Sequence, residues 1–386
     1  RAEVLKYATG IRFYIEKSPG WLAGKEVPSD ARFSAVYHQP LGGVLLVMPW
    51  NFPLWQVIRA CVPALCLGNV ILLKHAPNVF RYSAIIEDLF RKAGFPEDVL
   101  VNLMVDVGAL ETITSHPAVA AVSLTGSERA GKSMASLAGK YLRKCVLELG
   151  GSDPFIVMPD ADLDFSADMA AKARLINNGQ SCIAAKRFLV HSSIERDFLE
   201  RLIAKLELYK PADPLKNDTL LGPQARPDLV ENLVNQVERS LKDGAELVWK
   251  SSESFDKGHF FLPAILRNAR TGMACFDEEV FGPVIAILRT DSLEEAMKIE
   301  NSSNYGNAAS VFTQNGSFAR YVMEHASAGM IGVNIGVPVP REPFSFGGWN
   351  ESKFGTSDIT GKSSIEFWTQ LKKTSIKWNA EAKTNW

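Results

Sequence analysis

Between Gly42 and Gly150, short runs of β-branched and aliphatic residues alternate with stretches whose apolar residues recur at helical spacing. That alternation fixes the class of fold open to the chain. "GGVLLVMP" precedes residues 54–67, and "NVILLKH" precedes "YSAIIEDLFRKAGF", where Ile85, Ile86, Leu89, Phe90 and Ala93 share a helical face. "VAAVSLTG", the helical "SERAGKSMASLAGKYL" and "KCVLELGG" continue the series. Strands alternating with helices build βαβ units, and so a parallel sheet covered on both faces, an α/β fold able to hold a nucleotide. After "GGSDPF" the pattern restarts with "PFIVMPD", a helix through Asp168 to Ile176, "KRFLVHS" and a helix from Ile194 to about Tyr209, which places a domain boundary near Gly150. The last third adds three βα alternations, a Gly/Pro-rich loop from Gly336 to Gly355, and a tail, "SSIEFWTQLKKTSIKW", that reads as an extended strand. The 386 residues are enough for two such domains.

Composition excludes several classes of function. Hydrophobic residues at 46% and charged residues at 22% suit a soluble globular chain. A net charge of -1 without a lysine/arginine block argues against a nucleic-acid partner. The longest apolar run, "LWQVIRACVPALCLGNVILL", is broken by Arg59, Pro63, Gly68 and Asn69 and reads as a helix then a strand, so no membrane span is expected. Five cysteines without a CxxC pair argue against a disulfide framework or a zinc site, and point to a reducing compartment, the cytoplasm. The opening "RAEVLKYATGIRFYIEK" has the pattern of an amphipathic helix and carries neither a start methionine nor a secretory signal, so the chain is expected to continue a longer protein.

Several residues invite a chemical reading beside a plain one. Cys182 closes "NNGQSC", a polar stretch where a thiol is open to a substrate and to backbone N–H donors; the alternative is an inert packed cysteine. Cys61, Cys66 and Cys145 sit in apolar runs and read as buried, and packing is also the better reading for Cys275. Glu148 ends the apolar strand "CVLELGG" ahead of two glycines that admit close approach of backbone or ligand. A buried carboxylate there suits a general base or a structural ion pair. "SLTGSERAG" leads from a strand through Gly126 and Ser127 into a helix whose free amides can meet a phosphate, although a serine cap explains Ser127 equally well. Lys74 closes "NVILLK" at the end of the strand where α/β sheets bind ligands, or is simply solvated. Asn51, between two prolines in "MPWNFP", can donate to a developing oxyanion or only make a turn.

Together "PWNFP", "LKHAP", "LTGS", "LELGG", "GQSC" and "EEVFGPV" resemble the NAD(P)-dependent aldehyde dehydrogenase superfamily, in its order and near its spacing, from Tyr37 to Trp378. The resemblance implies an aldehyde dehydrogenase fold. Residues 1–149 would form a Rossmann-like cofactor domain lacking its N-terminal part, residues 150–340 an α/β catalytic domain, and residues 341–386 a return to the cofactor domain with an oligomerisation tail. It further implies that Cys182 is the nucleophile, Glu148 the general base, and Asn51 with the Cys182 N–H the oxyanion hole. Lys74 and Glu279 would bind cofactor ribose hydroxyls, Gly126 and Ser127 the pyrophosphate, and Trp50 and Phe281 would also line the cofactor site. The implied reaction adds the thiolate to an aldehyde, passes hydride to NAD or NADP, and hydrolyses the resulting thioester without a metal.

"PWNFPLWQVIR", "LTGSERAG" and "KCVLELGGSDPFIV" are most similar to bacterial succinate-semialdehyde dehydrogenases, in which an arginine at the position of Arg59 faces the substrate. A small ω-acid semialdehyde is therefore the expected partner; a buried structural ion pair is the other reading of Arg59. Pro77 stands where NAD-specific relatives carry a ribose-binding glutamate, so NADP is expected to be tolerated. The loop "GVPVPREPFSFGGWNESKFG" instead resembles methylmalonate-semialdehyde dehydrogenases, which acylate coenzyme A and generally lack the glutamate of "LELGG". Glu148 favours water as the acceptor. A non-catalytic scaffold with the same fold is the remaining alternative. The tail strand and "ARFSAVYHQPLG" are expected to build a homodimer or homotetramer, as in the family.

Overall fold

The computed structural model describes residues 2–253, 257–339 and 344–378. Residues 340–343 of the Gly/Pro-rich loop and 379–386 of the expected oligomerisation tail lie outside the described residues. The chain forms two compact units, one of residues 2–148, 344–346 and 354–378, the other of residues 149–339 and 347–353.

In the first unit, strand Gly43–Met48 reads "GVLLVM" with Val44, Leu45, Leu46 and Met48 buried, the continuous apolar run required of a strand covered on both faces. Its sheet carries, in order, Leu100–Asn102, Val70–His75, Gly43–Met48, Val119–Thr125 and Lys144–Glu148, with the two-residue strand Lys353–Phe354 beyond the last. The first five of these pair in parallel. The earliest of them lies at the centre: the chain builds outward on one side, then returns to build outward on the other. Gly43–Met48 and Val119–Thr125 are neighbours whose following helices depart in opposite directions, and the crevice beyond their carboxyl ends is where such sheets take ligands.

Helix Trp55–Cys66 follows the central strand and is buried from Gln56 to Ala64, so its one arginine, Arg59, lies in an apolar setting. No side chain of its own caps its start. Glu3, from the opening helix Ala2–Leu22, supplies the acceptor instead, taking the amides of Leu54 at 3.1 Å and Trp55 at 2.7 Å. A second, antiparallel sheet orders Lys25–Glu26, Phe33–Pro40 and Thr369–Ile376, with Phe33–Pro40 and Thr369–Ile376 paired along their whole length. The tail is thus only partly extended: Ser364–Trp368 is a short helix, because winding there buries Ile365, Phe367 and Trp368 together, which an alternating strand cannot do.

The second unit holds a seven-stranded sheet ordered Glu246–Lys250, Ala264–Arg267, Val284–Thr290, Ala185–His191, Asp153–Val157, Ala308–Phe312, Met330–Val333. Every pairing is parallel except that of Glu246–Lys250 at the edge. Successive side chains feed opposite faces: Ile156, Leu189, Ala286 and Leu288 join one apolar core, while Phe155, Val157, Phe188, Val190, Ile285 and Ile287 join the other. The helix expected through Asp168 to Ile176 runs Leu163–Leu175, and Asp162 caps it by accepting from the Phe165 amide at 3.1 Å. The next helix spans Glu195–Leu206. Among the described residues no helix is long and apolar enough to cross a membrane.

Trp368 fixes the C-terminal segment to the first unit's core: its ring is fully buried and its indole N–H donates to the Ile359 carbonyl at 3.0 Å. Trp368→Ala is expected to destabilise the chain by about 3–5 kcal/mol, read as a lower urea midpoint, with Trp368→Phe losing less.

Candidate active site

In the first unit the motif residues gather at one edge of the parallel sheet. Val47 pairs with Lys74 and with Leu124, and Thr125 pairs with Glu148, so the strands end side by side. Trp50 and Asn51 follow the central strand, half-buried, and Gly126 and Ser127 follow its neighbour. Ser127 caps helix Glu128–Lys140, its hydroxyl accepting from the Ala130 amide at 3.4 Å. Lys74 is buried, and burial lowers its pKa against the opposing pull of Asp106.

Glu148 is not alone at this edge. Arg59 reaches it from helix Trp55–Cys66, with Nη1 donating to Oε1 at 3.2 Å and Nη2 donating to Oε2. The guanidinium also donates through Nε to Gln56 Oε1 at 2.7 Å and through Nη2 to Thr125 Oγ1 at 3.5 Å, and it lies 5.0 Å from the ring centre of Phe346. Side-chain exposures of 4% and 5% make this a buried, forked ion pair. Removing one partner of such a pair typically costs about 3–5 kcal/mol, because the other charge is left in an apolar setting. The two readings of each residue therefore converge: the expected base and the expected substrate anchor are each other's counter-ion.

In the second unit Cys182 lies in the turn ahead of strand Ala185–His191, at the amino edge of that sheet, and is half-buried. Helix Leu163–Leu175 ends there, and Asn177 (φ 50°), Asn178 (φ 56°) and Gly179 (φ +75°) take left-handed backbone conformations in succession. Asparagine tolerates that region better than most residues, and Gly179 is required twice over, since a Cβ would stand 2.4 Å from the Gly282 carbonyl. Asn178 ties the loop down through the Gly222 amide and the Pro223 carbonyl, and Gln180 through the Ala225 amide. Gly151, in "LELGG", lies against the same loop: a Cβ there would meet the Cys182 carbonyl at 2.5 Å.

Two buried cations hold this edge. Lys186 Nζ donates to the carbonyls of Ser181, Cys182 and Ala184 at 3.0, 2.9 and 3.1 Å. Arg174 donates to those of Ala185, Val280 and Gly282. Helices between parallel strands end at the amino edge with carbonyls unpaired, so positive charge is what this edge needs. Glu279 accepts from the Gly151 amide at 3.0 Å and stands 3.8 Å from Lys186, while Phe281 is half-buried two residues further on. The sequence reading missed Lys186 and Arg174. Their only signal was charge inside otherwise apolar stretches.

The other cysteines are less available. Cys61 and Cys275 are buried with raised pKa values, and burial pushes Cys145 up to about 12. Cys66 and Cys145 are half-buried rather than buried as expected, Cys66 because it lies in the last turn of its helix and Cys145 because its strand begins near the surface.

A family model described as the aldehyde dehydrogenase family matches residues 1–374. The chain belongs to the aldehyde dehydrogenase family. It is 42% identical over 360 residues to NADP(+) succinate-semialdehyde dehydrogenase 1 of Mycobacterium tuberculosis, covering 92% of this chain and 78% of the relative. Among solved structures it resembles succinic semialdehyde dehydrogenase from Streptococcus pyogenes in complex with NADP+ (TM-score 0.92, 32% identity, 97% and 82% of the two chains). It also resembles a putative methylmalonate-semialdehyde dehydrogenase from Sinorhizobium meliloti complexed with NAD (TM-score 0.94, 26% identity, 98% and 78%).

The first unit of this aldehyde dehydrogenase fits a nicotinamide dinucleotide. Among the described residues Lys74 is a buried ammonium without a hydrogen bond or ion pair, at the carboxyl edge of the same sheet whose strand Val119–Thr125 leads into a 13-residue helix that opens its amides at the switch point. Such a cation asks for oxygen acceptors, which ribose hydroxyls and phosphates supply.

Asp153, at the start of its strand in the second unit, accepts from the Ala308 amide at 3.2 Å, and burial pushes its pKa up from 3.8 to about 7 against the pull of Lys186 and Arg187. A raised carboxyl favours the folded state while protonated, a contribution full below the ordinary carboxylate range and lost as pH rises through about 7. The melting temperature of Asp153→Asn should therefore decline less between pH 5 and 8 than that of the wild type; parallel profiles would contradict this.

Proposed function

We propose that this aldehyde dehydrogenase oxidises a short aldehyde carrying a distal carboxylate, succinic semialdehyde or a close analogue, to the dicarboxylate, with NADP+ or NAD+ as electron acceptor. The observation that carries the reading is the buried Arg59 guanidinium at the carboxyl edge of the first unit's sheet, already holding a carboxylate in a forked pair. A site that pairs one carboxylate there is chemically suited to a second, and the relatives named for succinate semialdehyde are the more similar ones.

In this reading the Cys182 sulfur adds to the aldehyde carbon, and Asn51 Nδ2 with the Cys182 amide takes the oxyanion, each donor contributing roughly 3 kcal/mol in comparable sites. A bound nicotinamide supplies the acceptor for the electron pair that leaves the substrate carbon. Lys74, Gly126, Ser127, Trp50, Glu279 and Phe281 hold that cofactor, and Pro77, exposed where a carboxylate would repel a ribose phosphate, leaves room for NADP. Glu148 takes a proton from the water that attacks the Cys182 thioester. The presence of Glu148 weighs against coenzyme A as acyl acceptor, although the resemblance to methylmalonate-semialdehyde dehydrogenase extends over nearly the whole chain. The reading further places the chain in the cytoplasm, where Cys182 stays reduced, and in a homo-oligomer built through the open edge of strand Thr369–Ile376.

Succinic semialdehyde with NADP+ or NAD+ should yield reduced cofactor without coenzyme A, and Cys182→Ala should lose at least on the order of a thousandfold of that activity. Glu148→Gln should release one equivalent of reduced cofactor and then stall. Failure of every aldehyde to react, with the cofactor bound equally by Cys182→Ala, favours an inert scaffold; a coenzyme A requirement favours the acylating reaction.

A further inference from the structure

The Arg59–Glu148 pair poses a difficulty for the chemistry assigned to Glu148. Both of its oxygens accept from the guanidinium, so neither is turned toward a water that would have to hand it a proton. Arg59 is held in turn by Gln56 and Thr125 and packed on Phe346, so the arginine keeps its place when its carboxylate partner changes. Letting Glu148 go would leave a buried guanidinium uncompensated, unless another carboxylate takes its place.

We propose that the distal carboxylate of the substrate displaces Glu148 from Arg59, so that the substrate itself releases the base that completes its turnover. The inference rests on the function proposed above. The exchange is balanced in charge: one carboxylate replaces another, and Arg59 stays paired throughout. While a succinyl group is bound to Cys182 its carboxylate occupies Arg59 and Glu148 is off the guanidinium. Water oxygen then bonds to the thioester carbon, its proton passes to Glu148, the C–S bond breaks, and Cys182 leaves as thiolate with no change in oxidation state. An acetyl group brings no carboxylate. Glu148 stays on Arg59 and hydrolysis is slowed, on the order of a hundredfold. Selectivity for a carboxylated aldehyde then appears in kcat for hydrolysis as well as in KM.

Cutting the central carbon–carbon bond of succinic semialdehyde gives, with hydrogens added, acetaldehyde and acetate, and these two fragments test the exchange on the wild-type protein. With acetaldehyde and NADP+ alone, a rapid burst of reduced cofactor should precede a slow steady state. Saturating acetate should raise the steady-state rate about tenfold or more while leaving the burst amplitude unchanged, and should only inhibit turnover of succinic semialdehyde. Arg59→Met should show no acetate activation and a smaller gap between burst and steady state with acetaldehyde. Normal turnover of succinic semialdehyde with no acetate effect on acetaldehyde overturns the exchange and leaves the function standing. If neither aldehyde reacts, both are overturned.

Discussion

Arg59 lies on a helix buried from Gln56 to Ala64, and a guanidinium in that position must find a permanent counter-charge. The counter-charge is Glu148, 89 residues away in sequence at the carboxyl end of an outer parallel strand. The demand for charge pairing thus ties the helix after the central strand to the far side of the sheet, and it sets where Glu148 rests. Thr125, which pairs with Glu148 in the sheet, lends its hydroxyl to the same guanidinium. The residue proposed for proton transfer is thus held by a guanidinium that requires a counter-charge.

The second unit solves the opposite problem. Cys182, the proposed nucleophile, sits at the amino edge of a parallel sheet, where connecting helices present carbonyls rather than amides. Six carbonyls of the loops and the strand start at that edge are taken by Lys186 and Arg174, both buried. The left-handed turn Asn177–Gly179 sends the chain from the helix end into the loop bearing Cys182, and Gly151 and Gly179 allow the backbones around it to approach closely. The polar character of "NNGQSC" is the requirement of that turn: asparagines and a glycine for the backbone, a glutamine for its anchoring.

The alternation of strand and helix was legible because parallel strands buried on both faces must be continuously apolar, as "GVLLVM" is. The strand-end positions of Asn51, Lys74, Gly126 and Glu148 followed from the same pattern, since each motif directly closes or follows an apolar run. What escaped depends on partners distant in sequence. Nothing local to Arg59 names Glu148, nothing local to Lys186 announces three carbonyls, and the helix Ser364–Trp368 exists because Ile365, Phe367 and Trp368 find a core to fill. The two strands expected to face other subunits pair first with each other, residues 33–40 against 369–376, a contact separated by more than three hundred residues and so invisible to any window.

A crystal structure of the protein with succinate bound examines directly whether Arg59 exchanges one carboxylate for another. A succinate carboxylate in forked contact with Arg59, with Glu148 moved off the guanidinium, is the predicted result. Succinate bound elsewhere, with Glu148 still seated on Arg59, would contradict it.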